Sequence, residues 1–282
     1  MTCTLSSGGR MMDLSIGGWG QSDLFSIATR PATIQATQFI RSREEIPCIG
    51  GVPTVHTVDR IDVHQAQPPG EYSSSGFLLN LARGPLAPGA TPEASGRPEI
   101  EVSLHLPSGR LALLTPPGSN QVSFGLRHGD VALNLNGDDD LDMVLGRAFF
   151  IDISAGKGSD TVDARVRPDG ARPRHPRAFI WGESGSDTLI AGHAGDQLYG
   201  GQGPDFVVGS KGGKGNFLGG GAGADIIVAR RTRNLIIAGG GDDHVDARNG
   251  VRDWISCGSG RDHARVDRHE EHLSGCERVH RG

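Results

Sequence analysis

Apolar residues recur at a nearly constant interval along the second half of the chain. From residue 131 onward, each short apolar segment carries one aliphatic residue at the same phase, and successive ones are mostly 9 to 11 residues apart. These residues are Val131, Leu141, Ile151, Val162, Leu189, Leu198, Val207, Leu218, Ile227, Ile236, Val245, Ile255, Ala264 and Leu273. A period this regular indicates a solenoid whose aliphatic residues point inward and stack on one another.

The first half of the chain is predicted to form strands without this period. The segments "IDVHQ" (Ile61 to Gln65) and "EIEVSLHL" (Glu99 to Leu106) alternate as strands do, and no segment has the 3.6-residue period of an amphipathic helix. Residues 84–98 are rich in proline and glycine and read as a loop or linker. The predicted fold is therefore all-β, with an irregular β N-terminal region of unknown role (1–98), strands leading into the solenoid (99–130) and a β-roll solenoid (131–276).

An aspartate and a glycine-rich turn accompany each aliphatic residue of the solenoid. In "GESGSDTLIAGHAGDQLYGGQGPDFVVG" (Gly182 to Gly209) an aspartate returns every nine residues, two positions before the aliphatic residue. Nine residues suit one half-turn, so 18 residues bring the chain back over itself at the strand spacing of about 4.8 Å. Glycine suits the turns because it adopts positive φ without steric cost.

Stacked coils place these carboxylates in columns. Two carboxylates about 5 Å apart repel by roughly 3 kcal/mol at an effective dielectric constant of 20. Carboxylate and carbonyl oxygens together form the all-oxygen shell that Ca²⁺ prefers, whereas the thiolate and imidazole ligands typical of zinc or copper are missing from the repeat. Calcium ions are therefore the predicted cofactor, and the alternative is a glycine-rich solenoid whose carboxylates only face water.

The predicted calcium ligands fall into two sets. The aspartates in phase with the repeat are Asp160, Asp187, Asp196, Asp205, Asp225, Asp243, Asp253 and Asp262. A weaker set has neutral side chains or incomplete turns and consists of Asp139, Asn216, Asn234 and Glu271.

Alternate repeats belong to opposite edges of the solenoid, and the two edges differ in charge. One edge holds Asp187, Asp205, Asp225, Asp243 and Asp262. The other holds Asp196, Asn216, Asn234, Asp253 and Glu271, and "ARRTRN" (Ala229 to Asn234) replaces one of its glycine turns. Because asparagine is neutral and arginine is cationic, calcium is expected to fill the first edge and to bind weakly around Asn216 and Asn234.

The chain resembles the RTX, or haemolysin-type, calcium-binding repeat family, whose nonapeptide reads GGxGxDxUx. The matching segments are "AGKGSDTVD" (155–163), "GESGSDTLI" (182–190), "GGQGPDFVV" (200–208), "GGGAGADIIV" (219–228) and "AGGGDDHVD" (238–246). The resemblance covers about residues 131–276 and implies a parallel β-roll that binds calcium in its turns after secretion.

The four cysteines can form two disulfides, which bear on whether the protein is located inside or outside the cell. Cys257 and Cys276 are 19 residues apart, one more than a full coil, so a disulfide between them is predicted to fasten the last turn. Cys3 and Cys48 are a second candidate pair whose separation nothing in the sequence fixes. The N-terminus lacks the basic and apolar segments of a signal peptide, although the resemblance predicts an extracellular or cell-surface protein.

Composition excludes some classes of partner. The net charge is −5, which gives no general affinity for nucleic acid, and no apolar run approaches the length of a membrane span.

The sequence lacks two common catalytic motifs, HExxH and GxSxG. His269-Glu270-Glu271-His272 resembles the first motif but has the wrong spacing. The sequence therefore predicts a non-enzymatic, calcium-stabilised structural, adhesive or surface module. The alternative is an extracellular enzyme, such as a hydrolase or one active on polysaccharide, with catalytic groups before residue 131.

Overall fold

A computed structural model of the chain describes residues 2–6, 11–17, 24–30, 33–39, 43–46, 48–49, 60–66, 76–82, 100–105, 110–138, 141–145, 150–166, 176–212, 215–268 and 272–282. These residues form strands and turns, with no helix among them. The expected all-β fold is confirmed. It follows that none of the described segments is a helix that could cross a bilayer.

The strands are numbered in chain order. The first fourteen are β1 (Thr2–Leu5), β2 (Met11–Gly17), β3 (Leu24–Arg30), β4 (Thr33–Phe39), β5 (Arg43–Ile46), β6 (Cys48–Ile49), β7 (Arg60–Ala66), β8 (Gly76–Asn80), β9 (Glu101–His105), β10 (Arg110–Leu114), β11 (Gln121–Arg127), β12 (Asp130–Asn134), β13 (Met143–Val144) and β14 (Phe150–Ser154). The remaining thirteen are β15 (Thr161–Asp163), β16 (Arg177–Ser184), β17 (Thr188–Ile190), β18 (Gln197–Gln202), β19 (Phe206–Val208), β20 (Phe217–Ala222), β21 (Ile226–Val228), β22 (Leu235–Gly240), β23 (His244–Ala247), β24 (Trp254–Ser259), β25 (His263–Val266), β26 (His272–Ser274) and β27 (Arg278–Arg281).

The chain divides into two compact units. Unit 1 comprises residues 1–117, 124–152 and 167–176, and unit 2 comprises residues 118–123, 153–166 and 177–282. Residues 131–152, which the sequence analysis placed at the start of the solenoid, belong to unit 1.

Unit 1 contains parallel and antiparallel strand pairs. Its strands follow the orders β12-β13-β9-β7-β2-β1-β6 and β10-β8-β3-β4-β5. Strands β2, β7 and β9 are mutually parallel, whereas β1 with β2 and β3 with β4 are antiparallel. The alternation of "IDVHQ" is explained here, because Ile61 and Val63 are fully buried and His64 is exposed. A disulfide joins Cys3 of β1 to Cys48 of β6, which confirms the second candidate pair.

Unit 2 is a parallel coil with two strand ladders. One ladder follows the order β27-β25-β23-β21-β19-β17-β15 and ends on residues 121–123 of β11, and the other runs β26-β24-β22-β20-β18-β16. Each coil contributes one strand to each ladder. Leu189 of β17 pairs with Val207 of β19, and Val207 pairs in turn with Ile227 of β21. The expected parallel β-roll is confirmed in this unit.

The core of unit 2 consists of the predicted in-phase aliphatic residues. Those with 3% exposure or less are Val162, Leu189, Leu198, Val207, Leu218, Ile227, Ile236, Val245, Ile255 and Ala264, whereas Leu273 in the last coil is half-buried. Each forms a layer with its equivalents one coil away. Burial of these many small aliphatic layers stabilises the coil. The turns between its strands lie at two edges.

The last coil is fastened as the sequence predicted. Cys257 of β24 and Cys276 form a disulfide with a Cα–Cα distance of 5.1 Å. The bond closes a 19-residue segment at the end of the coil, where β26 and β27 have a neighbouring strand on one side only.

Candidate functional site

One edge of the coil carries a column of buried aspartates, which we call the first edge. Each of these aspartates immediately precedes a strand of the β15 to β25 ladder, and each is 3% exposed or less. The column consists of Asp160, Asp187, Asp205, Asp225, Asp243 and Asp262. The repeat period thus brings together the predicted first-edge ligands, in one row and in the same local environment.

One oxygen of each carboxylate holds the neighbouring coil. The backbone N–H of Asp205 donates to Asp225 Oδ1 at 2.8 Å, and the N–H of Asp225 donates to Asp243 Oδ1 at 2.9 Å. The same bond joins every successive pair from Asp160 to Asp262. The aspartates are therefore part of the structural scaffold as well as candidate ligands.

The other oxygen of each carboxylate has no hydrogen-bond partner. The Oδ2 atoms of all six first-edge aspartates are inaccessible to solvent and accept no hydrogen bond. Burying an unsatisfied charged acceptor is costly, and six in one row is far from what folded proteins tolerate without a compensating ligand. A row of unpartnered anionic oxygens is the chemical signature of a cation site.

Backbone carbonyl oxygens face the same positions. A Cβ on Gly182 would overlap Asp187 Oδ2 and would lie 2.5 Å from the carbonyl oxygen of Gly200, which belongs to the next coil. Likewise, a Cβ on Gly220 would overlap Asp225 Oδ2 and would lie 2.5 Å from the Ala238 carbonyl oxygen. Glycine at these positions leaves room for the unpartnered Oδ2 atom beside a backbone carbonyl oxygen of the next coil.

Burial also raises the pKa of five of these carboxyl groups and so disfavours their ionised form. Desolvation raises the pKa of Asp205, Asp225 and Asp243 to about 6, even though each Oδ1 accepts a backbone hydrogen bond. Desolvation likewise raises the pKa of Asp160 and Asp187. Carboxylates that are costly to ionise alone become strong ligands when a cation supplies the opposite charge.

The donor set fits calcium. Among the described residues no cluster of three histidine, cysteine, aspartate or glutamate side chains is close enough to hold a metal, so an ion at this edge needs backbone carbonyls. Carboxylate and carbonyl oxygens together are the ligands that Ca²⁺ takes, with six to eight oxygens in flexible geometry. The first edge supplies both kinds of oxygen from successive coils.

The opposite edge, which we call the second edge, is built differently. Its predicted ligands are Asp196, Asn216, Asn234 and Asp253, and each is buried. Asp196 Oδ1 accepts the N–H of Ala178 at 2.9 Å, and its Oδ2 accepts the N–H groups of Gly192 and His193. One oxygen of this aspartate therefore holds the neighbouring coil and the other accepts from its own turn, so both already accept backbone hydrogen bonds.

Hydrogen bonds also fix the remaining second-edge side chains. Asn216 Oδ1 accepts from the backbone and the hydroxyl of Ser210, and Asn234 Nδ2 donates to the Thr232 carbonyl at 2.6 Å. Asp253 Oδ1 accepts from Asn234, and its Oδ2 accepts from Asn249 Nδ2 at 2.6 Å. At this edge, side-chain amides and backbone N–H groups donate to the buried side-chain oxygens, whereas at the first edge a cation would have to partner them.

Two predicted ligands lie outside the described residues, namely Asp139 and Glu271. The assignment of all the in-phase aspartates as calcium ligands, with Asp196 and Asp253 among them, remains a prediction, as does the weaker set. The structure places the side chains of Asp196, Asn216, Asn234 and Asp253 in internal hydrogen bonds, so a metal there would have to displace those bonds.

Sequence reasoning missed both ends of the first-edge column. At one end, the backbone N–H of Asn120 donates to Asp160 Oδ1 at 2.7 Å. At the other, Glu277 Oε2 accepts the N–H of Asp262 at 2.8 Å and takes the place of the next aspartate. Glu277 follows Asp262 by 15 residues, which is shorter than the coil period and hides it from a periodic search.

Comparison with known families agrees with this geometry. Residues 179–216 and 219–251 match the RTX calcium-binding nonapeptide repeat, in four copies. The matched segments contain both edges of the central coils and four of the six first-edge aspartates. No curated protein and no solved structure matches the chain. Unit 2 thus carries a calcium-binding β-roll module of RTX repeats.

Proposed function

We propose that the protein acts outside the cell as a calcium-stabilised structural, adhesive or surface module, and that calcium ions bind along the first edge. The observation that carries the proposal is the row of six buried Oδ2 atoms without a hydrogen-bond partner. The RTX repeats over the same coils support calcium as the ion.

The ligands would come from successive coils. Oδ2 of Asp187 and the Gly200 carbonyl would serve one position, Oδ2 of Asp205 and the Gly220 carbonyl the next, and Oδ2 of Asp225 and the Ala238 carbonyl a third. Calcium would supply the positive charge that these desolvated oxygens lack. Because each ion would join two coils, calcium binding would be coupled to the formation of the coil.

Two features support an extracellular location. Both disulfides, Cys3–Cys48 and Cys257–Cys276, are typical of proteins from oxidising compartments. Calcium sites that must be saturated for folding also suit an environment rich in free calcium. Mass spectrometry of the protein from its native source, with thiols blocked at lysis, should find both pairs oxidised. Free thiols at all four positions would contradict this location.

The proposal assigns a binding and structural role to the coil rather than catalysis. Each first-edge carboxylate already accepts a backbone N–H through one oxygen, and that bond fixes its position in the stack. Such groups are suited to holding an ion between coils.

Isothermal titration of the chelator-treated full chain tests the binding step. Calcium should bind at several sites, and magnesium should bind far more weakly, because Mg²⁺ requires a rigid octahedral shell and releases water reluctantly. Crystals grown in calcium should show anomalous scattering peaks beside Asp187, Asp205 and Asp225. A protein that binds neither ion, or crystals with no peak on this edge, would refute the proposal.

A further inference from the structure

The second edge contains an open cleft lined by cationic side chains. Its volume is about 760 Å³, and its lining consists of Lys211, Val228, Ala229, Arg230, Arg231, Arg248, Asn249 and Gly250. Apart from Val228, the last residue of β21, these residues lie in three successive connections, which follow β19, β21 and β23. A cleft of this size is in the range of sites that bind small molecules.

Most of the positive charge in the cleft has no acidic partner among the described residues. Arg248 forms a salt bridge with Asp246 at 2.6 Å. Lys211, Arg230 and Arg231 form no ion pair with any described residue, and no described lining residue is acidic. The nearby carboxylate of Asp253 is occupied by hydrogen bonds from Asn234 and Asn249. Three cations of the lining therefore have no acidic partner in the part of the chain that the structure describes.

The arginine turn is held rigidly. The carbonyl oxygen of Arg230 accepts hydrogen bonds from the backbone N–H of Thr232, from Asn249 Nδ2 at 3.0 Å and from Asn234 Nδ2. Asn249 is fixed in turn, because its Nδ2 also donates to Asp253 Oδ2. The backbone that presents the guanidinium groups is thus fixed before any ligand binds, which lowers the entropy cost of binding.

We propose that this cleft is an anion-binding site for a ligand that carries several clustered tetrahedral oxyanions, either sulfate or phosphate groups. Guanidinium groups bind such oxyanions through paired charge-assisted hydrogen bonds, and a lysine adds a point charge. Because the cations come from three different turns, a ligand can contact them all at once only if it carries more than one anionic group. The described lining contains no aromatic ring, so nothing there would stack on a nucleobase.

This site is separate from the calcium sites in position and in charge. The first edge carries the unpartnered carboxylates, whereas the second edge uses its carboxylates internally and exposes cations. Calcium would act on the cleft only by holding the coil folded. The test is therefore made on the full chain in saturating calcium.

Sucrose octasulfate is a suitable probe, with sucrose and inorganic sulfate as controls. Isothermal titration should detect binding of sucrose octasulfate that weakens as salt is added, and no binding of sucrose. Inorganic sulfate at the same concentration of sulfate groups should bind at least tenfold more weakly, because only the octasulfate engages several cations at once. A phosphate arm with inositol hexakisphosphate, at a free calcium concentration held constant, distinguishes phosphate from sulfate carriers.

Matched variants locate the site. Arg231→Gln and Lys211→Gln should each weaken octasulfate binding by about tenfold, as expected when one charge-assisted contact is lost. Arg278→Gln removes the same charge from an exposed arginine beside His263, at the opposite end of the strands, and should leave binding unchanged. Circular dichroism and calcium affinity verify that each variant folds. Equal weakening by all three variants, equal binding of inorganic sulfate, or no binding of either polyanion would overturn the proposal.

Discussion

The backbone N–H of Asp205 donates a 2.8 Å hydrogen bond to Oδ1 of Asp225, while Oδ2 of Asp225 is buried without a partner. This one relationship, repeated along the first edge, divides each carboxylate into a structural half and a ligand half. A cation can therefore bind without any rearrangement of the bonds that hold the coils together.

Replacing Asp225 with asparagine should weaken calcium binding and stabilise the metal-free coil. The amide oxygen can still accept the N–H of Asp205, so the structural bond is kept, but the charge that attracts calcium is lost. We expect calcium affinity to fall by at least about tenfold. In chelator at neutral pH, far-UV circular dichroism should show a larger folded fraction of unit 2 than in the unchanged chain, because one desolvated charge has been removed.

Asn234→Ala is the matched comparison on the second edge. Asn234 accepts from Thr232 and donates to Thr232 and Asp253, so its loss should lower the free energy of unfolding by about 1–3 kcal/mol. Calcium affinity should change far less than in the Asp225→Asn variant. Equal effects of the two substitutions on calcium affinity would show that the edges do not differ as we describe.

Gly220→Ala should impair calcium binding through geometry alone. The new Cβ would overlap Asp225 Oδ2 and press on the Ala238 carbonyl oxygen, which are the two acceptors that face the candidate site. Gly212→Ala is the control, since a Cβ there meets nothing within 4 Å. Calcium titration of both variants should show a loss for Gly220→Ala only. Normal calcium binding by that variant would place the ion elsewhere.

The pH dependence of stability should change sign with calcium. Burial raises the pKa of Asp205, Asp225 and Asp243 to about 6, above the value of about 4 for an unfolded aspartate. In chelator the folded coil keeps protons that the unfolded chain releases. The stability contributed by these groups is therefore complete below about pH 4 and is lost as pH rises through about 6.

In calcium the opposite trend is expected, because the ion requires ionised carboxylates and competes with protons below about pH 6. Denaturant unfolding in calcium at pH 4.5, 5.5 and 7 measures the second trend. Far-UV circular dichroism at the same pH values, with a calcium chelator that remains effective at low pH, measures the first, because the folded fraction of unit 2 should fall from pH 4.5 to pH 7. Parallel pH profiles in the two conditions would contradict the assignment of these three aspartates as ligands.

The Cys257–Cys276 disulfide should stabilise the end of the coil selectively. Loop closure over 19 residues is worth about 3 kcal/mol. In the double variant Cys257→Ser, Cys276→Ser, hydrogen exchange should increase in β24 to β27 and stay unchanged in β17 to β20. Uniform acceleration across unit 2 would show that the bond acts on the whole coil rather than on its last turn.

The period of the sequence was enough to predict the coil and its first edge. The in-phase aliphatic residues Leu189, Val207 and Ile227 are fully buried, and the aspartates two positions before them form the column. This worked because a stacked coil repeats the same environment at each step. Position in the repeat therefore determines both burial and side-chain direction.

Interactions that break the period could not be predicted. Asp196 has the right phase, but the turn that contains Gly192 and His193 directs backbone N–H groups at its carboxylate. Glu277 ends the column from a position that no repeat identifies. The cleft needs side chains from three turns at once, and the sequence shows them only as scattered basic residues. All three features depend on the backbone conformation of irregular turns, which the repeat pattern does not determine.

Far-UV circular dichroism of the full chain during a calcium titration, starting from chelator, measures directly whether the coil requires calcium to fold. Six buried anionic oxygens without partners should keep the first-edge coils from forming in the absence of calcium at neutral pH. We expect a largely disordered signal from unit 2 in chelator and a cooperative gain of β structure as calcium reaches the millimolar range. Superimposable spectra in chelator and in millimolar calcium would contradict it.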